Sequence, residues 1–236
     1  MTQVARAGST LIPLYLQISE SISREIAAGR FAPGDRLPPE RELAKQFTTT
    51  VRTLRKALSE LQKNGLLERI QGSGNYVRSG KQTHSIYSMF RLELPQGGGM
   101  PTAEVLSISE LNKPANLPEF GTSDRVSRIR RVRSLNKKAI AIEEIWLDRD
   151  AGRIDPLALG DSLYRYYKVK LGFWIHRAED RVSVKPLPRW APANFNESSV
   201  ATFGYIERLS WAQEKKPLEY SRTWFNPVQA RYVQRL

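Results

Sequence analysis

The chain has 236 residues, 40% hydrophobic and 26% charged, with a formal net charge of +13 and no cysteine. This composition excludes a disordered chain. It also removes disulfides, thiolate zinc sites and cysteine nucleophiles together. No run approaches the roughly 20 apolar residues of a membrane helix, and the start, MTQVARAGSTLIP, lacks the apolar core of a signal peptide. The expectation is a cytoplasmic protein with a polyanionic partner, since a positive field attracts and steers one. The basic excess is spread over both halves of the chain, so motifs must locate the binding face.

In chain order, PLYLQISESISREIAAGRF repeats apolar residues at Tyr15, Ile18, Ile22 and Ile26, the buried stripe of an amphipathic helix, with Gly29 as its stop. FAPGDRLPP then turns the chain. A short second helix is expected from about Glu40 to Phe47. Thr48, Thr49 or Thr50 can cap a third helix, whose stripe is Val51, Leu54, Leu58 and Leu61. Gly65 ends it, and LLERIQGSGNYVRS reads as two strands around a Gly-Ser-Gly turn.

SGKQTHS, residues 79–85, is polar and without apolar period, and reads as a linker between domains spanning 11–78 and 86–236. PQGGGMPT, 95–102, reads as a flexible loop. Beyond it the period becomes two: RVSRIRRVRSL, AIAIEEIWL, HRAEDRVSVKPL, FGYIERLSWA and LEYSRTWF are expected strands. DSLYRYYKVKLG breaks that pattern as a helix capped by Asp161 or Ser162. The fold class is therefore α+β.

Three helices and a hairpin describe a winged helix-turn-helix. Arg52, Arg55, Lys56, Ser59 and Lys63 fall off the third helix's apolar stripe and leave a basic face suited to the major groove of DNA. The threonines at its N-terminus can meet a phosphate, helped by free N–H groups and the helix dipole.

Residues 11–78, with LPPERELAKQF, TLRKALSELQKNGLLER and QGSGNYV, resemble the DNA-binding domain of the GntR family of bacterial transcription regulators. The resemblance implies a homodimer on a palindromic operator, in most such proteins as a repressor. It implies DNA contacts at Arg41, Thr50, Thr53, Arg55 and the wing tip Gly72, Ser73 and Gly74. One position departs from the family pattern. Val51 stands where an arginine is usual, and Arg52 follows about 100° around the helix, as a substitute base reader or a phosphate clamp.

Residues 86–236 resemble the UTRA effector domain of the family's HutC branch, on RIRRVR, DSLYRYY and PLEYSRTWF. That resemblance implies a chorismate-lyase-like antiparallel sheet that dimerises and binds a small molecule. Arg131 and Arg133 lie two apart on a strand and can grip one anion together, or pair with Glu143 or Glu144. Ser162, Tyr164 and Glu219 complete the implied pocket. Phe225 stands where many relatives have tyrosine. With five tryptophans in this domain, that favours an anionic effector bearing a flat ring, such as a urocanate-, cinnamate- or pterin-like acid, over a sugar phosphate. An enzyme is the rival reading, but there is no HExxH, GxSxG or P-loop, and His84 and His176 lack metal-ligand spacing. No cofactor or metal is expected.

Overall fold

The computed structural model describes residues 13–78, 89–195, 201–213 and 215–235. They form two compact units: a helical unit of residues up to 100 joined by the chain's end at 232–235, and a sheet unit within 101–231. The expected linker at 79–85, with His84, lies outside the described residues.

The helical unit contains α1 (Leu14–Ala27), α2 (Glu40–Gln46), α3 (Val51–Lys63), the strands β1 (Leu67–Ile70) and β2 (Gly74–Val77), and a short strand β3 (Leu92–Glu93). The stripes read from the sequence form its core. Ile18, Ile22, Leu54, Leu58 and Leu61 are at most 3% exposed, each contributing about 1.5–3 kcal/mol by leaving water. Gly29 and Gly65 close α1 and α3 in the left-handed region, at φ 71° and 72°. Of the three threonines only Thr50 caps α3, accepting the Thr53 N–H at 3.2 Å. Thr48 instead takes φ 49° in the turn after α2.

Beyond the stripe, the polar residues Ser19, Ser21, Ser23, Arg24 and Glu25 of α1 are buried as well. Residues after the linker and the chain's end cover that face. Arg24 donates to the carbonyls of Leu92 and Gly99 at 3.2 and 2.9 Å. Arg235 forks onto Glu93 at 2.7 and 3.0 Å, and the Val233 N–H donates to the Arg91 carbonyl at 2.9 Å. The glycine stretch expected to be a flexible loop is a hydrogen-bonded turn, with Gly97 N–H donating to Leu94 at 2.7 Å and Leu94 N–H to Gly98 at 3.1 Å. Arg235→Ala is expected to destabilise the helical unit by about 1–3 kcal/mol, because it strips the buried Glu93 carboxylate of its guanidinium donors and leaves it the Gly98 N–H at 3.4 Å. Urea unfolding followed by circular dichroism checks this; an unchanged midpoint would contradict it.

The sheet unit holds β4 (Pro101–Asn112), β5 (Arg125–Leu135), β6 (Lys138–Asp148), β7 (Arg177–Lys185), β8 (Phe203–Trp211) and β9 (Glu219–Phe225), antiparallel in the order β4-β5-β6-β9-β8-β7. Five of these strands match the segments read from the sequence. β4 does not, because as an edge strand its outer positions alternate weakly and several stay half exposed. The β5–β6 hairpin turns at Asn136 and Lys137, both with positive φ.

The helix read in DSLYRYYKVKLG is α4 (Leu163–Tyr166) continued by one π-helical turn, Tyr167–Leu171. Leu163, Tyr166 and Tyr167 pack against Ile129, Ile145 and Leu147 on one face of the sheet. The opposite face carries two aromatic clusters, Phe203, Tyr205 and Trp224, and Phe120, Trp146 and Tyr220.

Candidate DNA-reading face and effector site

In the helical unit, the start of α3, the start of α2 and the wing enclose a groove of about 340 Å³. Arg41, Arg55, Gly72, Ser73 and Gly74, all expected from the sequence, line it. Thr50 lies at its edge as the α3 cap, and its hydroxyl is 3.0 Å from that of Thr53. Arg52 and Thr53 are not among the lining residues; Val51 is. The exposed Arg52 therefore projects from α3 outside this groove.

Two lining arginines escaped the sequence reading, Arg36 from the turn before α2 and Arg69 from β1. The available signal was their sequence proximity to the ERxLA motif and to the wing tip. Arg55 donates to Glu40 at 2.7 Å, so four guanidinium groups face one carboxylate in this groove. The Ser73 hydroxyl meets the Tyr76 hydroxyl at 2.7 Å and stiffens the wing.

In the sheet unit, strand alternation and register put the expected effector residues on one face. Across the strands, Arg133 stands opposite Ala141, Ala141 opposite Phe225, and Phe225 opposite Gly204. One row along lie Arg131, Glu143, Thr223 and Ile206. Two rows further are Glu219 and Ser210. Tyr164 reaches this face from α4.

The two arginines do not act as a bare anion clamp. Arg131 Nε donates to Glu143 at 2.5 Å, Arg133 Nε lies 3.9 Å from the same carboxylate, and Arg133 also donates to the Asp161 carbonyl at 2.9 Å. Pairing with Glu143, the alternative left open by the sequence, is thus realised. Burial alone would raise the Glu143 carboxyl, but the Arg131 and Arg133 charges outweigh it and hold it below the usual carboxylate range. Even so, the buried Arg131 Nη1 has no hydrogen-bond partner among the described residues.

Glu219 is a hub for hydroxyls. It accepts from Tyr167 at 2.6 Å, Ser210 at 2.9 Å and Tyr164 at 3.3 Å. Burial raises its carboxyl above the ordinary value, partly offset by the Tyr167 and Ser210 hydrogen bonds. Tyr164 is pushed up as well, by burial and then by the neighbouring Glu219. Arg208 forks onto Asp180 at 2.5 and 2.7 Å on the same face. The sequence reading missed Tyr167, Asp180, Arg208 and Ser210; an arginine at an inward position of a buried strand was the signal available for Arg208.

Ser162 caps α4, its hydroxyl accepting the Arg165 N–H at 3.3 Å. The Phe225 ring lies against Gly204, where any side chain would collide with it. Three of the five tryptophans do not join this face. Trp146 stacks on Tyr220 at 5.5 Å, and Trp224 packs with Tyr205 at 5.0 Å and Trp190 at 5.9 Å, all on the opposite side. Of the aromatic supply invoked for a flat-ring effector, Trp146 and Trp224 are therefore core. His176 is exposed beside the start of β7.

Both units match known families. Residues 14–77 match the model described as "Bacterial regulatory proteins, gntR family", and residues 96–231 match the UTRA domain. The chain is 49% identical to the HTH-type transcriptional regulator SmoD of Agrobacterium fabrum, over 95% of this chain and 97% of that protein. The chain belongs to the GntR family. Another family relative is the mannosyl-D-glycerate transport/metabolism system repressor MngR of Escherichia coli, 30% identical over 91% of this chain and 92% of that one. A Bacillus subtilis structure described as a possible transcriptional regulator, YydK, shares the fold at 21% identity with a TM-score of 0.53, covering 95% and 100% of the two chains. As a GntR-family protein with a UTRA domain, the chain is a transcription regulator rather than an enzyme, and its partners are DNA and a small-molecule effector. No helix among the described residues is long and apolar enough to cross a membrane.

Proposed function

We propose that this regulator is a HutC-type repressor that binds a palindromic operator as a homodimer, through the module at 11–78, and senses an anionic, hydroxyl-bearing effector through the domain at 86–236. The DNA contacts in this reading are Arg41, Thr50, Thr53, Arg55 and the tip Gly72, Ser73 and Gly74, with Arg52 on phosphate. The effector residues are Arg131, Arg133, Ser162, Tyr164, Glu219 and Phe225.

The observation that carries the effector class is the buried, unpartnered Nη1 of Arg131 on a face rich in hydroxyls. An unsatisfied buried donor costs about 1–3 kcal/mol, which an incoming anion would recover. The hydroxyls of Tyr164, Tyr167 and Ser210 gathered around Glu219 suit the alternating donors and acceptors of a polyol. The relative named for a mannosyl-D-glycerate system points the same way, since that compound joins a hexose to a carboxylate. A ring-bearing carboxylate keeps one observation in its favour, the Phe225 ring in the same row as Arg133.

A thermal-shift and calorimetric screen decides. Glucose 6-phosphate or a glycosyl-glycerate is expected to raise the melting temperature, with Arg131→Ala removing the effect. Stabilisation by urocanate or cinnamate alone would reverse the choice of effector.

A further inference from the structure

The geometry points to a second small-molecule site in the sheet unit, a groove at one end of the sheet that takes a nucleoside polyphosphate. This site goes beyond the effector reading and does not rest on it. None of Arg131, Arg133, Ser162, Tyr164, Glu219 and Phe225 lines the groove.

Three loops of the sheet unit build it: Gly121 and Thr122 ahead of β5, the segment 172–176 ahead of β7, and the turn between β8 and β9. Backbone hydrogen bonds hold these loops in place. The Gly121 N–H donates to the Pro217 carbonyl at 2.6 Å, and the His176 N–H donates to the Trp211 carbonyl at 3.0 Å. The groove has a volume of about 1240 Å³, whereas pockets for small molecules usually have about 300–1,000 Å³, so a nucleotide fits. Gly172, at φ 78°, lines it with bare backbone and has open space where a side chain would stand.

Charge sets the first requirement on the ligand. Lys168, Lys215 and Lys216 line the groove, and none of them is in an ion pair among the described residues. Of the two carboxylates that line it, Asp148 is already neutralised by Lys113 at 3.0 Å. Three ammonium groups therefore stand against Asp150 alone, an excess that attracts a ligand with several negative charges. Ammonium groups on flexible stems serve successive phosphates as point charges.

The aromatic residues set the second requirement. Phe173 lines the groove and stacks on Tyr167 at 4.9 Å. Trp174 lines it too, with Lys168 Nζ 5.1 Å from the ring centre. A base entering here extends an existing aromatic stack, and the neighbouring cation keeps a phosphate close to that base. Exposed Asp150 accepts from the Thr122 hydroxyl at 2.9 Å and has further lone pairs for a ribose hydroxyl. Phosphates, ring and sugar hydroxyls together match a nucleotide better than inorganic polyphosphate or a free nucleoside.

The test is isothermal titration calorimetry on the full-length protein without DNA, at fixed ionic strength, with ATP, adenosine and tripolyphosphate as separate probes. ATP is expected to bind, and the other two to bind about tenfold or more weakly. The double variant Lys215→Glu/Lys216→Glu, whose sites are both exposed, should lose about tenfold or more in ATP affinity, while Arg131→Ala should keep it. Circular dichroism verifies that both variants fold. No heat from ATP at about 1 mM would overturn the inference. So would equal affinity for tripolyphosphate, which leaves only a charged patch, or unchanged binding by the lysine variant. Loss of ATP binding in Arg131→Ala would put the nucleotide among the effector residues and overturn the second site, whatever becomes of the effector reading.

Discussion

Glu143→Ala is expected to destabilise the sheet unit by about 3–5 kcal/mol at neutral pH, the cost of breaking a buried ion pair by deleting one partner. Glu143 is the carboxylate that faces both Arg131, at 2.5 Å, and Arg133, at 3.9 Å. Without it, two guanidinium groups two residues apart on one face repel each other in a dehydrated setting, and the donor of Arg131 is left unpaired. The sign with pH follows from the depressed folded pKa. Glu143 stabilises fully above the ordinary glutamate value, and the contribution is lost as pH falls through the lower folded value. The deficit of the variant should therefore narrow in acid. Glu219 works in the opposite sense, since its folded pKa is raised: its stabilisation is complete below the ordinary value and fades as pH rises through the folded one.

The measurement is convenient, because Trp146, Trp174, Trp190, Trp211 and Trp224 all belong to the sheet unit. Urea unfolding followed by tryptophan fluorescence therefore reports that unit alone. A loss below about 1 kcal/mol would mean that the arginines draw their neutralisation from elsewhere.

Arg55→Ala is expected to weaken operator binding by about 1–3 kcal/mol, or roughly 5- to 150-fold, if its guanidinium makes a bidentate contact to a guanine. The loss can be read cleanly as binding. The Arg55–Glu40 pair is largely exposed on the arginine side, and such pairs add about 0–1 kcal/mol to folding. Glu40 also places a negative charge in the groove proposed to receive DNA, and the compensating benefit is orientation: it holds Arg55 in a fixed direction. Glu40→Gln should thus bind random DNA more tightly at low salt and discriminate less among operator variants. Anisotropy titrations at fixed ionic strength test both. Equal affinity of wild type and Arg55→Ala for a selected operator would remove Arg55 from the reading set.

Much of this protein is legible along the chain. Within the helical unit, the periods of α1 and α3, the cap at the threonines and the glycines of the wing each carry their own local instruction. The strand segments of the sheet unit are equally visible where both faces are buried, as in β6. The edge strand β4 is not, since half-exposed positions blur the alternation. Alternation likewise shows that Arg131 and Arg133 share a face, but not which residues occupy the next strand.

What the sequence by itself determined is therefore local: three helices with a wing, a sheet-rich remainder, and a third helix with a basic face that starts at Val51. Only the tertiary structure decided that Glu143 neutralises the arginine pair, that three hydroxyls converge on Glu219, that Trp146 and Trp224 pack behind this face, and that segments after the linker and at the chain's end cover the polar face of α1. Each of these depends on register or on segments brought together from far apart. Period-two spacing fixes side chains relative to their own strand, while burial and charge balance across strands are set by which strands pair.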